Sequence, residues 1–318
     1  MSSGAATRLT RARAGVGVGG SAERSRPPRK RLHTGALTLA VMVAPSVVLV
    51  VVVHGYPLVA AAVQAVHNGS LVNAGDYVGL DNFRTALANP TFWSAARFTA
   101  VFTLVGVFGS WLIGLGLALL VKRRIHARGL FKTLLLLPWI VPVVVSSTAW
   151  NWLVATPTSP VPVLAGHLGF GTPLFLADPG LAQIMVCVFK VWIAFPFMML
   201  MASSALASVD ENVYEAARVD GLRSGQVFLH ITLPLIARST YISWILMTIF
   251  CINDFPTIFL LTGGGPVNAT NTLVVLAYQT VFANFQTGQG VAIAFMMTLV
   301  AVVVSLVLFR QIRRVDVR

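Results

Sequence analysis

Two ionisable residues stand inside otherwise apolar stretches of this 318-residue chain: Lys190 is the only charged residue of 181–207, and Asp254 the only one of 241–261. A charge in hydrocarbon costs several kcal/mol unless it is paired or hydrated, so such residues mark ion pairs, proton relays or substrate paths. Lys190 lies about nine residues into its stretch, about 14 Å along a helix at 1.5 Å per residue. Asp254 lies about eight residues from the opposite end of its own stretch, at a similar depth if both are measured from one membrane face. The two are expected to be close, as an ion pair or as two walls of one hydrated cavity. The alternative is that Lys190 snorkels outward and Asp254 faces loop water. By depth and polarity Trp192 and Asn253 join them as cavity candidates. His54 can serve as a proton relay or as an interfacial hydrogen bonder. Trp150 and Trp152 fit an interfacial aromatic belt, or a platform on which a sugar ring stacks.

A second cluster of polar chemistry lies in the segment 208–237, ASVDENVYEAARVDGLRSGQVFLHITLPLIARS with its flanks. Ser208 followed three residues later by Glu211 predicts a capping box, and Glu211 and Glu215 favour the early turns of a helix. Asp220-Gly221 supplies a stop, because Gly takes the left-handed conformation readily. A second helical stretch from about Leu222 runs to a break at Pro234. The segment therefore reads as helix, turn and helix, with small Ala216 and Ala217 between Glu215 and Arg218 allowing close docking by another protein. Without such a partner it is a capped surface helix.

Something must hold these residues at their depths, and the composition says what. Hydrophobic residues make up 56% of the chain and charged residues 10%, against about 25% charged in soluble domains. The mean hydropathy is +0.80. The chain reads as an all-α polytopic membrane protein. A helix needs about 20 apolar residues to cross hydrocarbon, and six stretches qualify: 37–63, 98–121, 133–154, 181–207, 241–261 and 291–309. Gly106, Ser110, Gly114 and Ala118 recur every four residues on one face of the second, where small side chains let another helix approach. Pro45, Pro57, Pro138, Pro142 and Pro196 fall within spans and allow kinks. Cys187 and Cys251, the only two cysteines, sit in apolar runs and read as small buried hydrophobes.

The formal charge of +13 in a soluble protein would suggest nucleic acid. Here its distribution reports topology instead. Of the 23 basic residues, 20 lie before the first stretch, between the second and third, between the fourth and fifth, and after the sixth. Basic residues are retained in the cytoplasm, so both termini are expected there, with the protein in the cell membrane and no nucleic-acid partner. Residues 1–33 are too poor in large apolar side chains to form a core and read as a disordered basic tail. The following stretch is too long for the apolar part of a cleaved signal.

Several chemistries lack their equipment. The sequence has no G-x-x-x-x-G-K-[ST] loop, and Gly263-Gly264-Gly265-Pro266 lacks the lysine that would hold phosphates. It has no H-E-x-x-H, no cysteine metal cluster and no G-x-S-x-G elbow, so neither a catalytic residue nor a metal site is assigned. Asn268-Ala269-Thr270 matches a glycosylation sequon, which would mean little if the protein were bacterial.

Glu215-Ala216-Ala217, then Gly221, then Ile231, Leu233 and Pro234 resemble the EAA motif of permease subunits of binding-protein-dependent ABC importers. That combination rarely arises by chance. Asn253-Asp254, the run LLTGGGPVNATNTL at 260–273, and then Tyr278, Phe282 and Gly288 look like the fifth-span exit of carbohydrate permeases. YVGLDNFRTAL at 77–87 resembles the first outer loop of the maltose and glycerol-phosphate type. The similarities run from about Tyr77 to the end of the sixth stretch and leave the arginine-rich tail unexplained.

What the resemblance implies is the type I importer fold over 93–309, preceded by a first helix and outer loop over 34–92 and followed by a short tail, 310–318. Glu215, Ala216, Ala217, Asp220, Gly221, Ile231, Leu233 and Pro234 would form the coupling loop, seated on a cytoplasmic ATPase. The partners implied are a second homologous permease, two copies of the ATP-binding subunit, a solute-binding protein outside, and a sugar. ATP and Mg²⁺ would be used by the ATPase, and this chain would bind no cofactor and catalyse nothing itself. The competing reading is a secondary transporter that couples ions through Lys190, Asp254 and His54; a membrane scaffold is a weaker third. The sugar stays open: disaccharide, oligosaccharide and glycerol phosphate all fit the pattern. A lone Lys190 would suit an anionic substrate, whereas pairing with Asp254 would favour a neutral one.

Overall fold

A computed structural model describes residues 32–73, 75–122 and 127–315. The disordered-tail expectation for 1–33 therefore lies almost wholly outside the described residues. Two compact units divide at Tyr56 and Pro57. In the first, α1 (Leu32–Val50) passes into a single π-helical turn, Val51–Gly55, that contains His54. Pro45 sits within α1, and the side chains from Val41 to Val53 are largely exposed.

The second unit carries the rest. It opens at Pro57, within α2 (Tyr56–Ala65), and continues with α3 (Asp81–Ala88). Then come α4 (Pro90–Lys122), α5 (Arg128–Ile140), α6 (Val143–Val154), α7 (Pro160–His167) and α8 (Pro179–Ala207). The polar segment forms α9 (Glu211–Val219), α10 (Ser224–Val227), a π turn at Phe228–Thr232 and α11 (Leu233–Leu235). The chain ends with α12 (Ala237–Ile252), α13 (Phe255–Leu261), α14 (Leu273–Phe282) and α15 (Thr287–Val315). No strand occurs among the described residues.

Among those residues four helical runs are long and apolar enough to cross a membrane: Thr38–Ala65, Pro90–Lys122, Pro179–Ala207 and Thr287–Ile312. Two bent pairs also pass: Arg128–Ile140 with Val143–Val154, bent by 91°, and Ser224–Leu235 with Ala237–Ile252, bent by 66°. The third span expected at 133–154 is thus broken at Pro142, one of the prolines expected to allow a kink. Pro142 forces Val141 into an extended conformation and lacks the N–H to continue the ladder. Likewise 241–261 is not one helix, because α12 stops at Ile252 and Asp254 starts α13 afresh. Pro196, by contrast, remains inside the unbroken α8.

The small-residue face of α4 is buried along its length, as Gly106, Ser110, Gly114 and Ala118 all are. A Cβ on Gly114 would stand 2.6 Å from the Met199 nitrogen, so the backbones of α4 and α8 approach as closely as glycine permits. A Cβ on Gly106 would stand 2.8 Å from Cys251 Sγ. The central core gathers Phe98, Phe102, Val186, Phe189, Met198, Met247 and Ile258 around this contact. Cys187 and Cys251 are both free and buried there.

The outer motif residues act as ties. Asn82 of the 77–87 run donates to the carbonyls of Ala65 (2.8 Å) and His67 (2.9 Å). Gly288, at the start of α15, lies against the His67 carbonyl, where a Cβ would collide. Thr99 Oγ1 of α4 accepts the Leu273 N–H at 2.9 Å, which fixes the start of α14.

Candidate functional site

The exposed polar segment is built on backbone caps. Asp210 opens α9, its Oδ1 accepting the Asn212 N–H at 3.0 Å. The capping box expected at Ser208 does not form: α8 runs through Ala207, and Ser208 closes it by donating to the Ala205 carbonyl at 2.8 Å. At its other end α9 stops in a Schellman arrangement. Leu222 N–H reaches the Ala217 carbonyl and Gly221 N–H the Arg218 carbonyl, both at 3.1 Å. Gly221 adopts φ +77°, and a Cβ added there would meet nothing within 4 Å. Its glycine serves conformation rather than close packing inside this chain.

Ala217, 3% exposed, is the residue that seats α9 on the bundle. Glu215, Ala216 and Asp220 are exposed on the other side. Tyr214 adds a second anchor, with Lys122 Nζ of α4 lying 4.2 Å from its ring centroid. Beyond the turn, Ile231 and Leu233 are half-buried, Pro234 is exposed, and Thr232 and Ile236 are buried. Gln226 Oε1 accepts the Arg223 N–H at 2.9 Å, which starts α10. A cleft of about 620 Å³ lies between α9 and α4, lined by Tyr214, Arg218, Leu222 and Phe228 with Gly116 and Leu120. The arrangement presents a short, rigid, capped helix whose outer face is charged and small, with its inner face fixed.

The buried charges are brought together. Lys190 Nζ of α8 lies 2.6 Å from Asp254 Oδ2, and both side chains are less than a tenth exposed. Asp254 does three jobs at once. It neutralises Lys190; its Oδ1 accepts the Thr257 N–H at 3.1 Å as the N-cap of α13; and its Oδ2 accepts the Thr257 hydroxyl at 2.8 Å. The Phe102 ring centroid stands 5.8 Å from Nζ. Thr257 went unnoticed in the sequence, although Asp254-Phe255-Pro256-Thr257 carries the signature of an N-cap with proline in the first turn.

The other two cavity candidates go elsewhere. Asn253 is exposed, donates to the Ile249 carbonyl at 2.9 Å, and lines a groove of about 470 Å³ with Thr298 and Ser305. Trp192 stacks on Phe189 at 5.9 Å and lies 5.5 Å from Trp150. Trp150 and Trp192 line a cleft of about 800 Å³ between α4 and α8. The two tryptophans expected to act as one belt therefore separate: Trp150 packs inward, while Trp152 is 68% exposed.

The family model for "Binding-protein-dependent transport system inner membrane component" matches residues 15–318. The sulfoquinovosyl glycerol transport system permease protein SmoG of Agrobacterium fabrum is 30% identical over 90% of this chain and 94% of its own length. The trehalose transport system permease protein SugA of Mycobacterium tuberculosis is 31% identical over 80% of this chain and 81% of its own. Among solved structures, a chain of a bacterial ABC transporter involved in the import of the acidic polysaccharide alginate has the same fold. It superposes with a TM-score of 0.77 at 19% identity, covering 88% of this chain and 96% of that one.

Proposed function

Because this chain belongs to the family of inner membrane components of binding-protein-dependent transport systems, we propose that it is one permease half of an ATP-driven sugar importer. The names of SmoG and SugA supply the sugar. The observation that carries the coupling role is α9, held at Ala217 and Tyr214, offering Glu215 and Ala216 outward, and ended at the Gly221 turn. In this reading six spans cross the membrane, each bent pair counting as one, with both termini in the cytoplasm. Residues 1–33 form a basic tail, 34–92 the first span and outer loop, 93–309 the type I transmembrane domain, and 310–318 the closing tail.

A second permease completes the pathway. Two ATP-binding subunits receive the coupling loops, and a solute-binding protein delivers sugar outside. When the ATPases close on ATP, α9 moves with them as a rigid lever, since its caps leave no slack at either end. The pull passes through Tyr214 to Lys122 of α4 and alternates access to the cavity. ATP and Mg²⁺ belong to the partner, and no catalytic step is assigned to this chain.

The test uses the complete complex in proteoliposomes, comparing wild type with Gly221→Asp. A residue other than glycine at φ +77° strains the turn and adds bulk to the docking face. Sugar-stimulated ATPase and uptake should both fall. Unchanged ATP-driven uptake would place the ATPase contact elsewhere, and uptake without nucleotide would favour an ion-coupled transporter.

A further inference from the structure

Between α6 and α8 the chain runs from Ala155 to Ala177 without a Lys, Arg, Asp or Glu, and His167 is its one ionisable side chain. The side chains it shows to the outside are large and apolar. Val163, Leu164, Leu168, Phe170 and Leu174 are each at least 40% exposed, and Phe170 reaches 78%. Apolar residues gathered in this way mark a surface that another apolar phase covers.

The local fold turns them outward. α7 buries Pro162 and leaves Val163, Leu164 and, one turn on, Leu168 on the outside. Gly169 and Gly171, at φ +86° and +74°, flank Phe170 and carry the chain out of the helix. The N–H groups of Leu168, Gly169 and Phe170 all turn back into α7, donating to the carbonyls of Leu164 (3.1 Å), Gly166 (3.1 Å) and Ala165 (2.9 Å). These three residues therefore present no free backbone donor, which is the condition for contact with lipid.

The neighbouring helix identifies what covers the surface. On α6, Val145 and Trp152 lie seven residues apart, so they share a face, and both are exposed. α7 packs against the same helix. In the six-span topology proposed above, on which this inference rests, that end of α6 is the outer one, and an exposed tryptophan there sits at headgroup level. The first outer loop differs: it exposes Asp76, Asp81 and Arg84, charges that keep it in water. A protein docking on 155–177 would find no charge to pair with, whereas a bilayer needs none. We propose that the α6–α8 connection, with Phe170 at its tip, lies in the headgroup–acyl boundary of the outer leaflet. There it anchors the outer end of α8, which begins four residues after Leu174 with the Asp178 cap on Leu181 N–H.

The test uses the complete transporter on a background freed of Cys187 and Cys251, with Phe170→Cys, Leu168→Cys and, in the first outer loop, Asp76→Cys, each carrying an environment-sensitive fluorophore. Phosphatidylcholine bilayers with a nitroxide near the top of the acyl chain report lipid contact, and iodide reports water. Labels at 168 and 170 should be quenched by the nitroxide lipid, and iodide should quench them at least about threefold less than the label at 76, as expected for side chains at the acyl boundary. Adding the binding protein should change neither result. Iodide quenching at 168 and 170 equal to that at 76 overturns the proposal. Shielding from iodide that appears only with the binding protein also overturns it, because the surface would then be a protein contact. In right-side-out membrane vesicles an impermeant maleimide should reach Asp76→Cys from outside. If it does not, the six-span topology is wrong, and the proposal falls with it.

Discussion

The Lys190–Asp254 pair and the α9 turn use the same kinds of residue under opposite conditions. In the first, two charges sit in the core with every strong partner supplied by the protein. In the second, Glu215, Arg218 and Asp220 face outward, and the backbone caps and Ala217 do the fixing. A buried charge is committed to its partner because separation is costly. An exposed charge on a rigid frame is available to another molecule. The difference separates a residue that holds the bundle together from one that can communicate beyond it.

Removing one buried charge should have the largest effect on stability. Asp254→Leu leaves Lys190 unpaired and α13 uncapped, and about 3–5 kcal/mol should be lost, read as a lower thermal midpoint of the assembled complex in detergent. An unchanged midpoint would mean that Lys190 has water or another anion within reach, which would break the contrast. Next comes the floor beneath the pair. Gly106→Val would force a side chain against Cys251 Sγ and Lys190, at a cost of about 1–3 kcal/mol by overpacking. Gly116→Val, where a Cβ meets nothing within 4 Å, is the control that should cost far less in the same melting assay.

The caps of α9 come third. Asp210→Ala removes the acceptor for Asn212 N–H and should cost about 1 kcal/mol, seen as faster amide exchange in the first turn of α9. Exchange unchanged from wild type would show that Asp210 is not the cap. Smallest in stability, and most telling in function, is Glu215→Ala. An exposed substitution of this kind should shift stability by no more than about 0.5 kcal/mol, yet lower binding-protein-stimulated ATPase. A variant with wild-type coupling would remove Glu215 from the docking face.

Much of this contrast was legible from residue order. Lys190 and Asp254 could be matched in depth because each was alone in its stretch, and Asp220-Gly221 announced the turn that Gly221 makes. Local punctuation was harder to read. Hydropathy runs unbroken through 241–261, so the stop at Ile252 hides within it; only the cap-and-proline spelling of 254–257 betrays the new start. Ser208 and Asp210 are both good caps, and which one opens α9 depends on how far α8 extends, a matter of packing against α4. Nor does any spacing rule bring Trp150 to Trp192 or turn Asn253 away from its neighbour Asp254. Those placements follow from long-range packing and from the helix break.

The central claim is that the outer face of α9 meets the ATPase while Asp254 stays within the membrane core. The most direct measurement is cysteine cross-linking in the complete transporter, with Ala216→Cys on a background freed of Cys187 and Cys251, tried with and without ATP. The account expects a cross-link from position 216 to the ATP-binding subunit whose yield changes with nucleotide, and none from Asp254→Cys. A cross-link to the ATPase from position 254, or none from position 216 in a complex that still hydrolyses ATP and imports sugar, would contradict it.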